Sequence, residues 1–225
     1  MTREPVEVLD ELTAGRFTCR AYRPDPVPEE VIRGILRIAG RTPSWCNVQP
    51  WQVVVASAES TEKFRRALME EARADPHGAS DIPFPPGYHG IYKKRRQEIG
   101  YQLYAALGIA REDRERREAQ SFENFRLFGA PHVAIVTLPG EIGPYAIADC
   151  GSFVGSFLLA ARAHGVDTTP QAALAHHSAF IRRYFDIPDG QKILCGISFG
   201  YADKEHPANS YRTARVLTEE IARMV

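Results

Sequence analysis

The chain has 225 residues, of which 44% are hydrophobic and 25% are charged, as in an ordinary soluble globular protein. Its 28 basic residues equal its 28 acidic residues, so no net field favours nucleic acid or an anionic membrane. The four cysteines are scattered, without CxxC or metal-ligand spacing, which indicates reduced thiols and no metal. We find no apolar leader and no apolar run of membrane-spanning length, and therefore expect a cytoplasmic protein with no nucleic-acid and no membrane partner.

Helical periodicity and turn residues divide the first third of the chain into short elements. Helices are predicted over 6–14, 28–39 and 60–74, and an apolar strand over 52–56. Residues 16–23 form an extended basic segment between the first two helices.

The middle of the chain contains a candidate lid, and the rest returns to strands and helices. Residues 75–90 are rich in proline and glycine and open a charged, tyrosine-bearing helical region, so we predict a lid or insert over about 75–128. Further elements are predicted as strands over 132–138, 166–169 and 192–200 and as helices over 145–164 and 178–185. The interleaving of helices and strands without a repeat or linker predicts one α/β-type domain over 1–225.

Helix 145–164 carries a face of small residues. Gly151, Ser152, Gly155 and Ser156 would let another helix approach closely. This face indicates a central helix or the core of a dimer.

The loop from Pro43 to Trp51 is the most unusual connection in the chain. It places polar side chains, two tryptophans and two prolines between a helix and a strand. Ordering such a loop is costly in conformational entropy, which favours a binding role, although a structural loop with two core tryptophans is an equal alternative.

Arginines form two groups that are far apart in the sequence. In an extended segment Arg16, Thr18 and Arg20 face the same side, and residues 209–215 supply a second polar cluster with two arginines. Together they could clamp a phosphate through charge-assisted hydrogen bonds. The alternative is a set of surface arginines in weak salt bridges, and composition alone favours it.

Common nucleotide and hydrolase motifs are absent from the sequence. There is no GxGxxG opening a helix, no Walker A loop, no GxSxG and no HExxH. A nucleotide-like ligand would therefore be held by arginine side chains and irregular loops.

Five segments in order resemble the FMN-dependent nitroreductase family, in particular its nitroaromatic and nitrobenzoate reductase branch. RFTCRAY at 16–22 is similar to the family's opening motif, and PSWCNVQPW at 43–51 to its loop motif. LYAALGIARED at 103–113 with FGAP at 128–131, DTTPQ at 167–171, and GYAD at 200–203 with the arginines near the end complete the set.

The resemblance implies an α+β (α/β-type) nitroreductase-like fold, with a central mixed β-sheet flanked by helices. It also implies an intertwined homodimer with FMN at the subunit interface. Arg16, Thr18 and Arg215 would hold the phosphate and ribityl end, and Arg20 would lie near the flavin pyrimidine. Phe17 and Arg212 are also expected to contact the cofactor. The partner subunit would contribute Pro43, Ser44 and Asn47, with Trp45 beside them. Along the isoalloxazine edge would run Pro170, Gln171, Ala172 and Ala173, with a backbone N–H close to N5.

The activity implied by the resemblance is reduction of nitroaromatic or quinone-like acceptors by NAD(P)H in a ping-pong cycle. The flavin carries the chemistry, so no catalytic side chain is required. Reductive dehalogenation, flavin fragmentation and flavin storage without turnover remain as alternatives. Candidate acceptor contacts are Trp45, Tyr92, Arg96, Tyr101 and Tyr104; for the last four, buried helix packing is at least as strong an alternative.

Overall fold

The computed structural model describes residues 3–225, in which four strands form one sheet. The strands are β1 (Gln52–Ser57), β2 (His132–Pro139), β3 (Asp167–Gln171) and β4 (Gln191–Gly200), in the order β1-β2-β4-β3. The α+β class is confirmed, but the prediction of a mixed sheet is wrong for these four strands, because every neighbouring pair is antiparallel. Parallel pairing within the described part of the chain is limited to isolated bridges such as Thr18–Thr168.

Helices cover both faces of this sheet. They are α1 (Pro5–Gly15), α2 (Glu29–Ala39), α3 (Glu59–Ala74), α4 (Gly90–Ala106), α5 (Arg114–Phe122), α6 (Pro144–Ala163), α7 (Ser178–Tyr184) and α8 (Thr218–Ile221). Because both faces are covered, β2 is buried along nearly its whole length, and its sequence is apolar apart from His132 and Thr137, a pattern that is typical of parallel sheets. Strand β3 ends two residues later than predicted, at Gln171, and the edge position allows it to include Pro170.

The two faces of the sheet have separate cores. On one face, Phe153 and Phe157 of α6 pack with Ile35 of α2, and Trp51 stacks on Phe153 with ring centroids 5.2 Å apart. On the other face, α3 and α7 supply a second cluster around Phe64. The sheet is thereby fixed as the rigid element from which the loops project.

The prediction that no apolar run has membrane-spanning length is wrong for helix α6. It has 20 residues, and an 18-residue window within it has a mean hydropathy of 1.3, so the helix is long and apolar enough to cross a membrane by length and composition alone. In this structure Phe153, Phe157 and Cys150 are buried in the protein core, while Gly151 and Gly155 are exposed. A Cβ at either glycine would meet no atom within 4 Å, so this face of the helix is open in the single chain.

The proline-rich loop before α4 is anchored by Asp81. Its carboxylate accepts hydrogen bonds from Arg182 Nη2 at 2.5 Å and from the backbone N–H of Ile193 at 2.9 Å. Both charged side chains are largely buried. Gly78 approaches so closely that a Cβ there would lie 2.1 Å from the carbonyl oxygen of His176, and its φ of +55° suits glycine. This end of the predicted lid is therefore fixed to α7 and β4.

We expect Asp81→Ala to lower the free energy of unfolding by about 2–4 kcal/mol, because it leaves a largely buried guanidinium without a counter-ion, bonded only to the Gln191 carbonyl oxygen. Glu118→Ala is the matched control, since it breaks the exposed Arg114–Glu118 pair and costs less than about 1 kcal/mol. Urea unfolding of both variants measures the difference. Equal losses would show that the Asp81 pair does not anchor the loop.

Candidate functional site

Two sequence-distant clusters meet in one cavity of about 630 Å³, here called the arginine cavity. It lies between the end of α1, the basic segment 16–23 and the chain after residue 209. Its lining residues are Asp10, Thr13, Ala14, Arg16, Phe17, Thr18, Arg20, Ile99, Tyr211, Arg212, Thr213 and Arg215. Six of the residues predicted to bind the cofactor are therefore neighbours in space.

Backbone pairing with the sheet positions the basic segment. Helix α1 ends at Gly15, and the chain turns extended at Arg16, with φ −74° and ψ 132°. The segment then runs beside β3, where the N–H of Cys19 donates to the Thr168 carbonyl oxygen at 3.0 Å. Thr18 and Arg20 are thus held at the edge of the sheet, next to the strand that leads to residues 170–173.

The side chain of Asn209 joins the far end of the chain to this segment. Its Oδ1 accepts from the N–H of Arg20 at 2.7 Å, and its Nδ2 donates to the carbonyl oxygens of Ala21 at 2.9 Å and Asp203 at 2.8 Å. Asn209 is 5% exposed, so these bonds are shielded from water. They bring Arg212 and Arg215 to the cavity although about 190 residues separate them from Arg20.

The positive charge of the cavity is not neutralised by the protein. Among the described residues, no salt bridge includes Arg16, Arg20, Arg212 or Arg215. Asp10 is the acidic residue of the lining, and it forms no salt bridge with any residue in the described range 3–225. Burial, followed by the charge of Arg215, lowers the pKa of Arg16 from its ordinary value. An anion placed among these guanidiniums would relieve their repulsion.

Three of the arginines are oriented by neighbouring groups. Arg212 lies over the ring of Phe17, 3.9 Å from its centroid, and Arg20 Nη1 donates to the Tyr211 hydroxyl at 3.0 Å. Arg215 bonds Thr213 Oγ1 at 2.8 Å through Nη1, which leaves its Nε and Nη2 to face a ligand. Tyr211 and Ile99 are not among the residues predicted to bind a ligand; for Tyr211, the one indication in the sequence is its position within the polar cluster 209–215.

The end of β3 presents backbone to a ligand more than side chains. Gln171 is 3% exposed; its Nε2 donates to the Asn124 carbonyl oxygen at 2.8 Å, and its Oε1 accepts from Ser198 Oγ at 2.5 Å. Because both ends of this amide are bonded within the protein, Gln171 can contribute to a cofactor site only through its main chain. Ala172 is exposed and Ala173 and Pro170 are half-buried, as an edge that contacts a ligand requires.

The loop containing Pro43, Ser44, Trp45 and Asn47 lies elsewhere in the chain, and none of these residues lines the arginine cavity. The backbone N–H of Trp45 points at the Asp149 carboxylate, 3.2 Å from each oxygen, and the Trp45 ring is 60% exposed. Three residues of this loop, none of them glycine, have a positive φ: Cys46 at 48°, Asn47 at 57° and Gln49 at 49°. Such strain is characteristic of functional loops.

The candidate acceptor contacts also lie outside the arginine cavity. Tyr101 and Tyr104 line a separate cleft between α4 and α5, Tyr92 is 65% exposed, and the Arg96 guanidinium lies 5.9 Å from the Tyr88 ring centroid. Ile99, on the same helix, is the α4 residue that reaches the arginine cavity.

Fold and cavity together define an α+β protein that can hold a phosphorylated ligand on arginine side chains, without a Rossmann or Walker loop. The family model described as "Nitroreductase family" matches residues 13–201. The chain belongs to the nitroreductase family and is an oxidoreductase.

Named relatives agree over nearly the whole length. Nitroreductase NfnB of Mycolicibacterium smegmatis is 36% identical, covering 99% of this chain and 94% of its own. The 4-nitrobenzoate reductase of Nocardioides sp. is 35% identical, covering 93% and 87%. The crystal structure of FMN-dependent NfnB from Mycobacterium smegmatis in complex with NADPH superimposes with a TM-score of 0.94 at 36% identity, covering 99% of this chain and all of that one.

We expect inorganic phosphate to raise the thermal midpoint of the apoprotein, because an anion that binds the folded state stabilises it by mass action. Arg16→Gln should reduce this rise, whereas Arg33→Gln on the surface of α2 should leave it unchanged. Thermal scans in chloride and in phosphate at equal ionic strength give the comparison. The same phosphate response in all three proteins would contradict an anion site at Arg16.

Proposed function

We propose that the protein is an FMN-dependent oxidoreductase that uses NAD(P)H to reduce nitroaromatic or quinone-like acceptors in a ping-pong cycle. The observation that carries this proposal is the arginine cavity, where four guanidiniums converge without a protein counter-ion. The names of the relatives support it further, since the solved NfnB structure is described as FMN-dependent and contains NADPH. Those names favour nitro reduction over dehalogenation, flavin fragmentation or storage.

The residues of the cavity fit FMN. Arg16 and Arg215 would bind the phosphate, with the hydroxyl of Thr18 donating a further hydrogen bond. Arg20 would lie towards the flavin pyrimidine, where added electrons place negative charge. At about 4 Å and an effective dielectric near 20, that attraction is roughly 4 kcal/mol, or about 90 mV for a two-electron couple.

The remaining contacts with the flavin would be made by the main chain. Residues 170–173 would run along the ring edge, with a backbone N–H near N5, and bound FMN would supply the redox chemistry itself. The bonded side chain of Gln171 keeps this edge in place. No acid–base side chain is needed in this scheme, consistent with the absence of a triad motif from the sequence.

We also propose a homodimer in which the loop 43–47 completes the partner's flavin site. The single chain exposes 13,777 Å², whereas a compact monomer of 25.1 kDa exposes roughly 10,300 Å². Helix α4 contributes no buried residue, and Leu217 and Ile221 in the chain's last segment are 70% and 72% exposed. A partner that covers these surfaces would account for the excess of about 3,500 Å².

Two further features belong to this proposal. Residues 75–128 would act as the lid over the acceptor, since they are anchored at Asp81 and at the buried Leu127 and Phe128, while Ile109 is the one buried residue between 75 and 126. The location would be cytoplasmic, because the four cysteines are free thiols and the net charge is balanced.

The reaction is tested by the visible spectrum of the FMN-loaded protein under anaerobic conditions. We expect NADPH to bleach the flavin bands and a nitroaromatic to restore them. Bands that persist with both NADH and NADPH would indicate storage, and failure to bind FMN would contradict the proposal as a whole.

The dimer is tested by Gly155→Leu on the open face of α6. We expect this variant to fold, because a Cβ there meets nothing within 4 Å, but to sediment as a monomer and bind FMN at least tenfold more weakly. Lys63→Leu, which adds the same side chain on the exposed face of α3, should remain dimeric. A fully dimeric Gly155→Leu protein would show that this face is not the interface.

A further inference from the structure

A second cationic cavity lies in the lid, apart from the arginine cavity. It has a volume of about 280 Å³ and lies between the last turn of α4 and the start of α5. Its lining residues are Tyr101, Tyr104, Ala105, Ile109, Arg111 and Arg117, and we call it the tyrosine–arginine cleft. It combines two aromatic rings with two cations and contains no carboxylate.

Within the described residues, neither arginine of this cleft has a carboxylate partner, and Arg117 donates only to the Asp113 carbonyl oxygen, at 3.4 Å. Arg114, three residues beyond Arg111, pairs with Glu118 at 2.7 Å, and Arg116 donates to the carbonyl oxygens of Gly108 and Leu107. Arg111 and Arg117 take part in no salt bridge. The Arg111 guanidinium instead lies 5.2 Å from the ring centroid of Tyr101. The cleft therefore combines aromatic rings with guanidiniums that have no carboxylate partner.

The cleft is connected by shared walls to the proposed flavin site. Ile109 lines both the cleft and a larger cavity of about 510 Å³, and that cavity also contains Arg20. Arg20 in turn lines the arginine cavity. A ligand that reacts at the flavin could therefore extend one end towards Arg111 and Arg117.

We propose that the tyrosine–arginine cleft binds the anionic group of a flat aromatic ligand of this enzyme. The ring would rest against Tyr101 or Tyr104, while Arg111 and Arg117 would bond the anion. Two ligands of the proposed reaction have this chemistry, namely the adenosine end of NADPH with its 2′-phosphate and an acceptor with an aromatic carboxylate. The inference rests on the proposed function and adds to it that Arg111 and Arg117 give the enzyme its preference for an anionic coenzyme or acceptor group.

Two matched ligand pairs test the cleft and distinguish the two sources. NADPH and NADH differ by the 2′-phosphate, and 4-nitrobenzoate and nitrobenzene differ by the carboxylate. We expect Arg111→Gln and Arg117→Gln each to reduce kcat/KM about tenfold for the member of one pair that carries the additional anionic group, with little change for the member that lacks it. If the variants lose the preference for NADPH over NADH, the cleft binds the coenzyme. If they lose the preference for 4-nitrobenzoate over nitrobenzene, the cleft binds the acceptor.

Arg111→Lys and Arg33→Gln serve as controls. The lysine variant keeps the charge and should recover part of the selectivity, whereas Arg33 lies on α2, outside the cleft, and its replacement should change neither ratio. Calorimetric binding of adenosine 2′,5′-bisphosphate and of 4-nitrobenzoate to the FMN-saturated variants gives a readout that does not depend on turnover.

Unchanged ratios for both pairs in both glutamine variants would overturn this inference. The proposed function would survive that result, provided that wild-type flavin is still bleached by NAD(P)H and reoxidised by the acceptor. A wild-type protein that binds no FMN would instead reject the proposed function.

Discussion

The repulsion among guanidiniums held at one end of the sheet is the interaction on which this account depends. A hydrogen-bond network holds these cations together. In it, the buried side-chain amide of Asn209 connects the C-terminal segment to the main chain of Arg20 and Ala21. Such an arrangement destabilises the empty protein and favours a bound anion, so binding energy is built into the folded state. The edge formed by residues 170–173 then places the remainder of the ligand.

Three features of the single chain support the proposed homodimer. The strained loop around Trp45 does not line the arginine cavity of its own chain, and a Cβ at Gly151 or Gly155 of α6 would meet no atom within 4 Å. Helix α4 has no buried residue. These three features have one economical explanation, which is that a second copy covers the helices and brings its loop to the first copy's ligand. Folding, cofactor binding and association would then be coupled.

Part of this arrangement could be predicted from the sequence. The extended segment predicted that Arg16, Thr18 and Arg20 face one side, and motif order indicated that Arg215 joins them. The direction of the strands could not be derived, because an apolar strand buried on both faces has the same sequence pattern in parallel and antiparallel sheets. The hydrogen bonds of the Gln171 side chain could not be derived from the sequence either, since they depend on Asn124 and Ser198, which are distant in the chain.

The central claim is that the arginine cavity recognises a flavin by its phosphate. FMN and riboflavin share the ring and the ribityl chain and differ only in that group, so their equilibrium dissociation constants, measured by flavin fluorescence at fixed ionic strength, isolate the interaction. We predict that FMN binds at least about 100-fold more tightly, as two charge-assisted contacts imply, and that added salt narrows the difference. Equal affinities for the two flavins would contradict the account.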